Sequence, residues 1–210
     1  MLSFTQSADS ISADGSSQIQ LEASVPDNLR NTVSTVYFTA TGGSFGATGA
    51  TVSVAVDTKG KAHASLTAPA TPMLIHVTAS ALSTVMTDTI RAVTALPDTM
   101  FATTPRLVIR ADTVSTVDTI TVSVQLLRKT GTASAGLTVD WAATAANGVK
   151  PIFTALTVSS AAGVITCKYS PGLTNYKGPV TVTASTKGVG GTISASTVVY
   201  VLPPEQPAVP

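Results

Sequence analysis

Charge is scarce in this chain. Of its 210 residues only 11% are Asp, Glu, Lys or Arg, and 12 basic against 11 acidic side chains leave a net charge of +1. No field of one sign exists to hold a nucleic acid or an anionic lipid surface, so neither is expected as a partner. Aromatics are sparse as well, at 5%, which makes the coplanar platform of a carbohydrate-binding accessory module hard to build. The single cysteine, Cys167, excludes an internal disulfide, so the fold must rest on its hydrophobic core. No run of about 18 apolar residues occurs, which excludes a membrane-spanning helix, and no membrane insertion is expected. The opening Met1-Leu2-Ser3-Phe4-Thr5-Gln6 lacks the basic, apolar and small-residue order of a signal peptide, which predicts a chain outside the general export route.

What is there is β-branched. Hydrophobic residues reach 44% with 15 Gly and 12 Pro, and the apolar excess is Ala and Val alternating with Thr and Ser. Such side chains favour pleated strands and resist helices. The period is two throughout. An opening strand is expected near Phe4 to Ser12. Ile19, Leu21, Ala23 and Val25 then face one way, followed by Val36, Phe38 and Ala40, by Val52, Val54 and Val56, by Ala62, Ala64 and Leu66, and by Met73, Ile75, Val77 and Ala79. A closing strand runs near Thr84 to Val93. Turn residues such as Pro26-Asp27-Asn28, Gly42-Gly43 and Lys59-Gly60 fill the gaps.

The second half repeats the scheme with Leu107, Ile109 and Ala111; Ile120, Val122, Val124 and Leu126; Leu137, Val139 and Trp141; Ile165, Cys167 and Tyr169; Val180, Val182 and Ala184; and a last strand from Thr192 to Leu202. Landmarks return in order about 100 residues on. Ala13-Asp14 is matched by Ala111-Asp112, Phe38 by Trp141, Gly60 by Gly163, and Val77-Thr78-Ala79-Ser80 by Val182-Thr183-Ala184-Ser185. The expectation is an all-β chain of two tandem immunoglobulin-like β-sandwiches of about seven strands each, over residues 1–95 and 96–202. Residues 203–210 form a Pro-rich tail, read as polyproline II and as a spacer, a terminus or a docking peptide.

Several of these runs resemble the bacterial immunoglobulin-like repeats of invasin- and intimin-type adhesins. The resemblance is carried by Ile11-Ser12-Ala13-Asp14-Gly15, by Val36 through Gly43-Ser44-Phe45, by Asp57-Thr58-Lys59-Gly60-Lys61-Ala62 and by Val77-Thr78-Ala79-Ser80. The second half is a weaker match, with Ala143 through Asn147-Gly148 in place of the glycine loop. The resemblance implies stacked, non-catalytic surface modules.

Chemistry is hard to find. Gly42-Gly43-Ser44-Phe45-Gly46 fits the nucleophile-elbow pattern, but strand-like sequence follows it, and His63 and His76, the only histidines, fall on outward phases; it reads as a glycine loop. Leu96-Pro97-Asp98-Thr99-Met100 resembles a sortase sorting signal but sits mid-chain and reads as linker. Asp14, Asp98 and Asp112 lack calcium-loop spacing and read as solvated loop carboxylates. Cys167 reads as a small buried hydrophobe and Trp141 as the anchor of the second core. Thr39 with Thr41, Thr119 with Thr121, and Thr181 with Thr183 read as wet strand faces. No catalytic residue, metal ligand or cofactor is assigned, and no enzyme is expected.

Apolar residues on outward phases are the remaining signal: Leu74, Leu127, Val108, Val198 and Tyr200. With Pro203 and Pro204 of the tail, Leu74, Leu127 and Tyr200 are the candidate protein contacts. Two functional readings follow. The leading one is a structural component of a phage virion, a head-decoration or tail-associated protein that contacts neighbouring subunits and a host receptor or glycan. Its alternative is a stalk fragment of a bacterial cell-surface adhesin.

Overall fold

A computed structural model describes residues 1–145 and 149–204. The chain divides into two compact units. Unit 1 is Met1–Ala95 together with Thr130–Ser134, and unit 2 is Leu96–Lys129 and the chain from Ala135 onward.

Unit 1 holds β1 (Ser3–Gln6), β2 (Ser10–Ala13), β3 (Gln18–Ser24), β4 (Thr35–Ala40), β5 (Thr51–Ala55), β6 (Lys61–Thr67), β7 (Met73–Ala81) and β8 (Thr84–Thr94). They form two sheets, β1-β3-β6 and β2-β8-β7-β4-β5. Every pairing is antiparallel except β2 with β8. The inward set is the one alternation dictates: Ile19, Leu21 and Ala23, Val36 and Phe38, Ala62, Ala64 and Leu66, and Ile75, Val77 and Ala79 are all buried. Phe4 and Phe45 pack their rings 6.2 and 6.5 Å from that of Phe38. Met73 keeps its inward phase but lies exposed at the end of β7. The expected opening strand over 4–12 is two strands, β1 on one sheet and β2 on the other, because the chain crosses the sandwich edge at Ser7–Asp9.

Unit 2 holds β9 (Thr99–Thr103), β10 (Val108–Arg110), β11 (Ile120–Leu127), β12 (Asp140–Thr144), β13 (Ile152–Thr154), β14 (Val164–Ser170), β15 (Gly178–Gly188) and β16 (Gly191–Leu202). Its sheets are β13-β14-β11-β9 and β10-β16-β15-β12. The duplication extends to the pairing. β9 pairs antiparallel with β11 as β1 does with β3, and β10 pairs parallel with β16 as β2 does with β8. Phe38 lies opposite Ala79, and Trp141 opposite Ala184. One strand departs from the pattern: β5 pairs with β4, whereas β13 pairs with β14 in the opposite sheet.

Four readings of the second half are corrected. Leu96–Met100 is not a free linker, since Thr99 opens β9 and Met100 is buried opposite Leu126. Leu107 precedes β10 and is exposed. Leu137 and Val139 lie before β12, which starts at Asp140. Trp141 is only partly buried, at the edge of its sheet. The wholly buried ring at the centre of unit 2 is Tyr169, with Phe153 at 5.6 Å and Trp141 beyond it at 6.2 Å.

Candidate contact surfaces

Strand geometry decides which side chains reach solvent. On β7, Leu74 alternates with buried Ile75 and is 54% exposed. Its cross-strand neighbour is Arg91 of β8, itself opposite Ser10 of β2. These three, with Asp9, Thr89 and Val93, line an open groove of about 450 Å³. Leu127 ends β11 opposite Thr99 and is 40% exposed. Tyr200 lies on β16, also 40% exposed, between Val108 of β10 and Pro179 of β15. Val198, one outward position along, is exposed too.

Leu74, Leu127 and Tyr200 therefore stand on three different sheets, Leu74 in unit 1 and the other two on opposite sheets of unit 2. What unit 2 does assemble is an apolar patch of Val108, Val198, Tyr200 and Pro179, with exposed Leu107 beside it, whose carbonyl accepts a 2.7 Å hydrogen bond from Tyr200 N. Pro179 carries no outward signal in the sequence without the register of β15 on β16, and the inward phase expected of Leu107 fails because β10 begins only at Val108. Pro203 and Pro204 follow β16 and are partly buried, and Pro204 lines a shallow cavity of about 380 Å³ with Asp112, Thr113, Val114 and Leu173. The rest of the tail, 205–210, and the loose glycine-loop match at 146–148 lie outside the described residues.

The aspartates read as solvated are not. Asp14 and Asp112, at matching positions after β2 and β10, are both buried. Asp14 Oδ1 accepts from Ser16 N and Ser17 N at 2.9 and 2.7 Å, and its Oδ2 accepts from Ser17 Oγ at 2.7 Å. Burial pushes its carboxyl up, but the hydrogen bonds from Ser17 and Ser16 outweigh it and hold the group below its ordinary 3.8. Asp112 accepts from Asp118 N at 3.0 Å and from Ser170 Oγ at 2.5 Å. Asp98, partly buried just before β9, accepts from Lys129 N at 2.8 Å. Among the described residues no group of three or more Asp, Glu, His or Cys converges as a metal site would require.

Ser44 forms an isolated antiparallel bridge with Thr67. Its N donates to Thr67 O at 3.0 Å, and its carbonyl accepts from Thr67 N at 2.8 Å, so Gly43 beside it serves close backbone approach. His63 and His76 are exposed, His63 beside Glu22 and His76 against Thr89. Two of the threonines are engaged with neighbours: Thr41 Oγ1 accepts from His76 N, and Thr183 shares a 2.8 Å bond with Ser196. Thr119 lies before β11, so its pairing with Thr121 is not a strand-face array. Cys167 is buried, and desolvation pushes its thiol up to about 12, leaving no thiolate for chemistry at neutral pH.

No protein-family model matches the chain, and no curated protein matches it. Solved structures do. Invasin, a bacterial integrin-binding protein, superposes with a TM-score of 0.69 at 21% identity, over 96% of this chain and 39% of that one. The fold is the immunoglobulin-like sandwich of bacterial adhesins. The adhesin InvE of Yersinia pseudotuberculosis agrees, with a TM-score of 0.58 at 18% identity over 95% of this chain and 58% of its own. At these identities the likeness is one of fold, and this chain spans less than two thirds of either adhesin.

Proposed function

We propose that the chain is a non-enzymatic pair of immunoglobulin-like modules, 1–95 and 96–202 with a Pro-rich tail at 203–210, serving as stalk or spacer in a bacterial cell-surface adhesin. The supporting observation is that the likeness to adhesin structures runs over 95 to 96% of the chain, both halves included. That favours the stalk over the virion component, for which composition and the missing signal-peptide pattern speak but no structural likeness does. The chemistry of the surface agrees with a spacer: a low charge, hydroxyl-rich strand faces, and buried carboxylates engaged by protein donors. Its partners in this reading are proteins, met through exposed apolar side chains such as Leu74, Leu127 and Tyr200 and through Pro203 and Pro204, with a host receptor or glycan bound elsewhere in the longer polypeptide. The test is immunogold labelling with antibody raised against 1–202, applied to intact cells of the source and to phage particles purified from it. Labelled cells, with the antigen in a polypeptide much longer than 210 residues, support the stalk; regular labelling of particles by a chain of this length would overturn it and restore the virion reading.

A further inference from the structure

In unit 1 the outer edge of β4 is covered: β5 runs antiparallel along it from Thr35↔Ala55 to Thr39↔Thr51. β12 is the counterpart of β4, but β13 has gone to the other sheet, and β12 ends its own. Among the described residues no strand pairs with the outer edge of β12. The side chains record the same difference. Phe38 is wholly buried, whereas Trp141, at the matching register position and the chain's only tryptophan, is only partly so. Natural sheets blunt open edges with charged side chains, Pro, bulges or short length. β12 reads Asp140-Trp141-Ala142-Ala143-Thr144: it is short, its one charge is Asp140 at its start, and no Lys or Pro stands along the rest of the edge.

We propose that the outer edge of β12 pairs antiparallel with the same edge of a second copy of this chain, joining the two four-stranded sheets into one. The occupant has to be an extended antiparallel strand, because that is what β5 supplies at the equivalent edge of unit 1. A second copy meets the requirement in a way other strands do not. Pairing β12 with itself about a two-fold axis consumes both open edges and creates no new one. Only one register engages all five residues, the one centred on Ala142. It sets Trp141 opposite Ala143 of the second copy and Asp140 opposite Thr144. The indole then meets a small neighbour on the inner face, and no carboxylate faces another. Five residues of edge bury less than the roughly 1,200 Å² of a standard stable complex, so the dimer is weak and concentration-dependent.

The experiment uses the full chain. Sedimentation from micromolar to millimolar concentration is expected to show a monomer–dimer equilibrium, with Trp141 fluorescence moving to shorter wavelength in step. Ala142→Cys places two thiols across the axis within disulfide reach, and Cys167 is too buried to compete. Mild oxidation is expected to give a covalent dimer, while Ser53→Cys on the edge of β5 is expected to stay monomeric. Ala142→Lys sets like charges opposite each other and is expected to weaken association by about tenfold or more, with its thermal melt unchanged. Mixing the Ala142→Lys and Ala142→Glu chains restores the dimer. A chain that stays monomeric throughout with no cross-link above the Ser53→Cys control, or an Ala142→Lys chain that associates as well as the parent, overturns the proposal.

Discussion

At the scale of single residues, stability in this chain hangs on a few polar atoms inside an apolar interior. Asp14 is one. Its lowered folded value means that the carboxylate contributes stability above the unfolded value near 3.8, and that this contribution is lost as pH falls through the lower folded value. Asp14→Ala strands Ser16 N and Ser17 N and is expected to cost about 2–3 kcal/mol in the urea unfolding of unit 1 at pH 7. The difference between Asp14→Asn and the parent should shrink as the pH drops below about 4. Tyr169 is the opposite case. Its ring fills the core of unit 2, but its buried hydroxyl finds no hydrogen-bond partner among the described residues. Desolvation, helped by nearby Tyr176, pushes the phenol up to about 12. Because an unmade buried hydrogen bond costs about 1–3 kcal/mol, Tyr169→Phe is expected to raise the denaturation midpoint of unit 2, whereas Tyr169→Ala should lose about 3–5 kcal/mol to the cavity. A lower midpoint for Tyr169→Phe would mean that the hydroxyl is satisfied in solution.

At the scale of elements, the same device is built twice. Gly60 and Gly163 adopt φ of +79° and +74°, and a Cβ on either would lie 2.7 or 2.8 Å from the carbonyl of Val25 or Leu126. Those carbonyls belong to residues whose N–H groups bond the glycine carbonyls at 2.7 and 2.8 Å, so neither side has room to move. Gly60→Ala and Gly163→Ala should each cost about 2 kcal/mol or more, and calorimetry should find each loss confined to its own unit. Both glycines were legible in the sequence, as were the strands with strict alternation, because period two directly reports a half-buried strand. Other elements were not. β9 buries only Met100 and opens on Pro97-Asp98, so it looks like a turn, and β13 is three residues after Pro151. The split of the first strand and the sheet change of β13 leave no trace in periodicity, which records inward and outward but not which sheet is joined. The burial of Asp14 was hidden for a related reason, since Ala-Asp-Gly has the composition of a solvated turn. Least visible was Thr130–Ser134, which completes unit 1. Ser134 Oγ donates to Ala13 O at 2.7 Å and accepts from Ala95 N at 2.8 Å. Ser134→Ala is therefore expected to lower the stability of unit 1 by about 1–3 kcal/mol, a shift that hydrogen exchange can assign.

At the scale of the whole molecule, the fold stands on apolar burial and on hydrogen bonds closed within the protein, and this decides how it should respond to cations. Asp14 and Asp112 sit at matching places in the two halves, where a metal-dependent tandem sandwich would place its ligands. Both are already engaged: Ser16 and Ser17 enclose the first, and the N–H of Asp118 with the hydroxyl of Ser170 takes up the second. A cation entering either place would have to displace these donors and find further oxygens, and a calcium ion takes six to eight. No such convergence exists among the described residues. The unfolding temperatures of both units are accordingly expected to be the same in excess chelator and in millimolar calcium. Because a ligand bound only to the folded state at 100 times its dissociation constant adds about 2.7 kcal/mol, an occupied site would raise one melting temperature by about 10–20 °C, at about 4–8 °C per kcal/mol in a unit of this size. Such a rise in one transition would locate a cation site in that unit; equal melts in both conditions leave the stability of each module independent of the calcium around it.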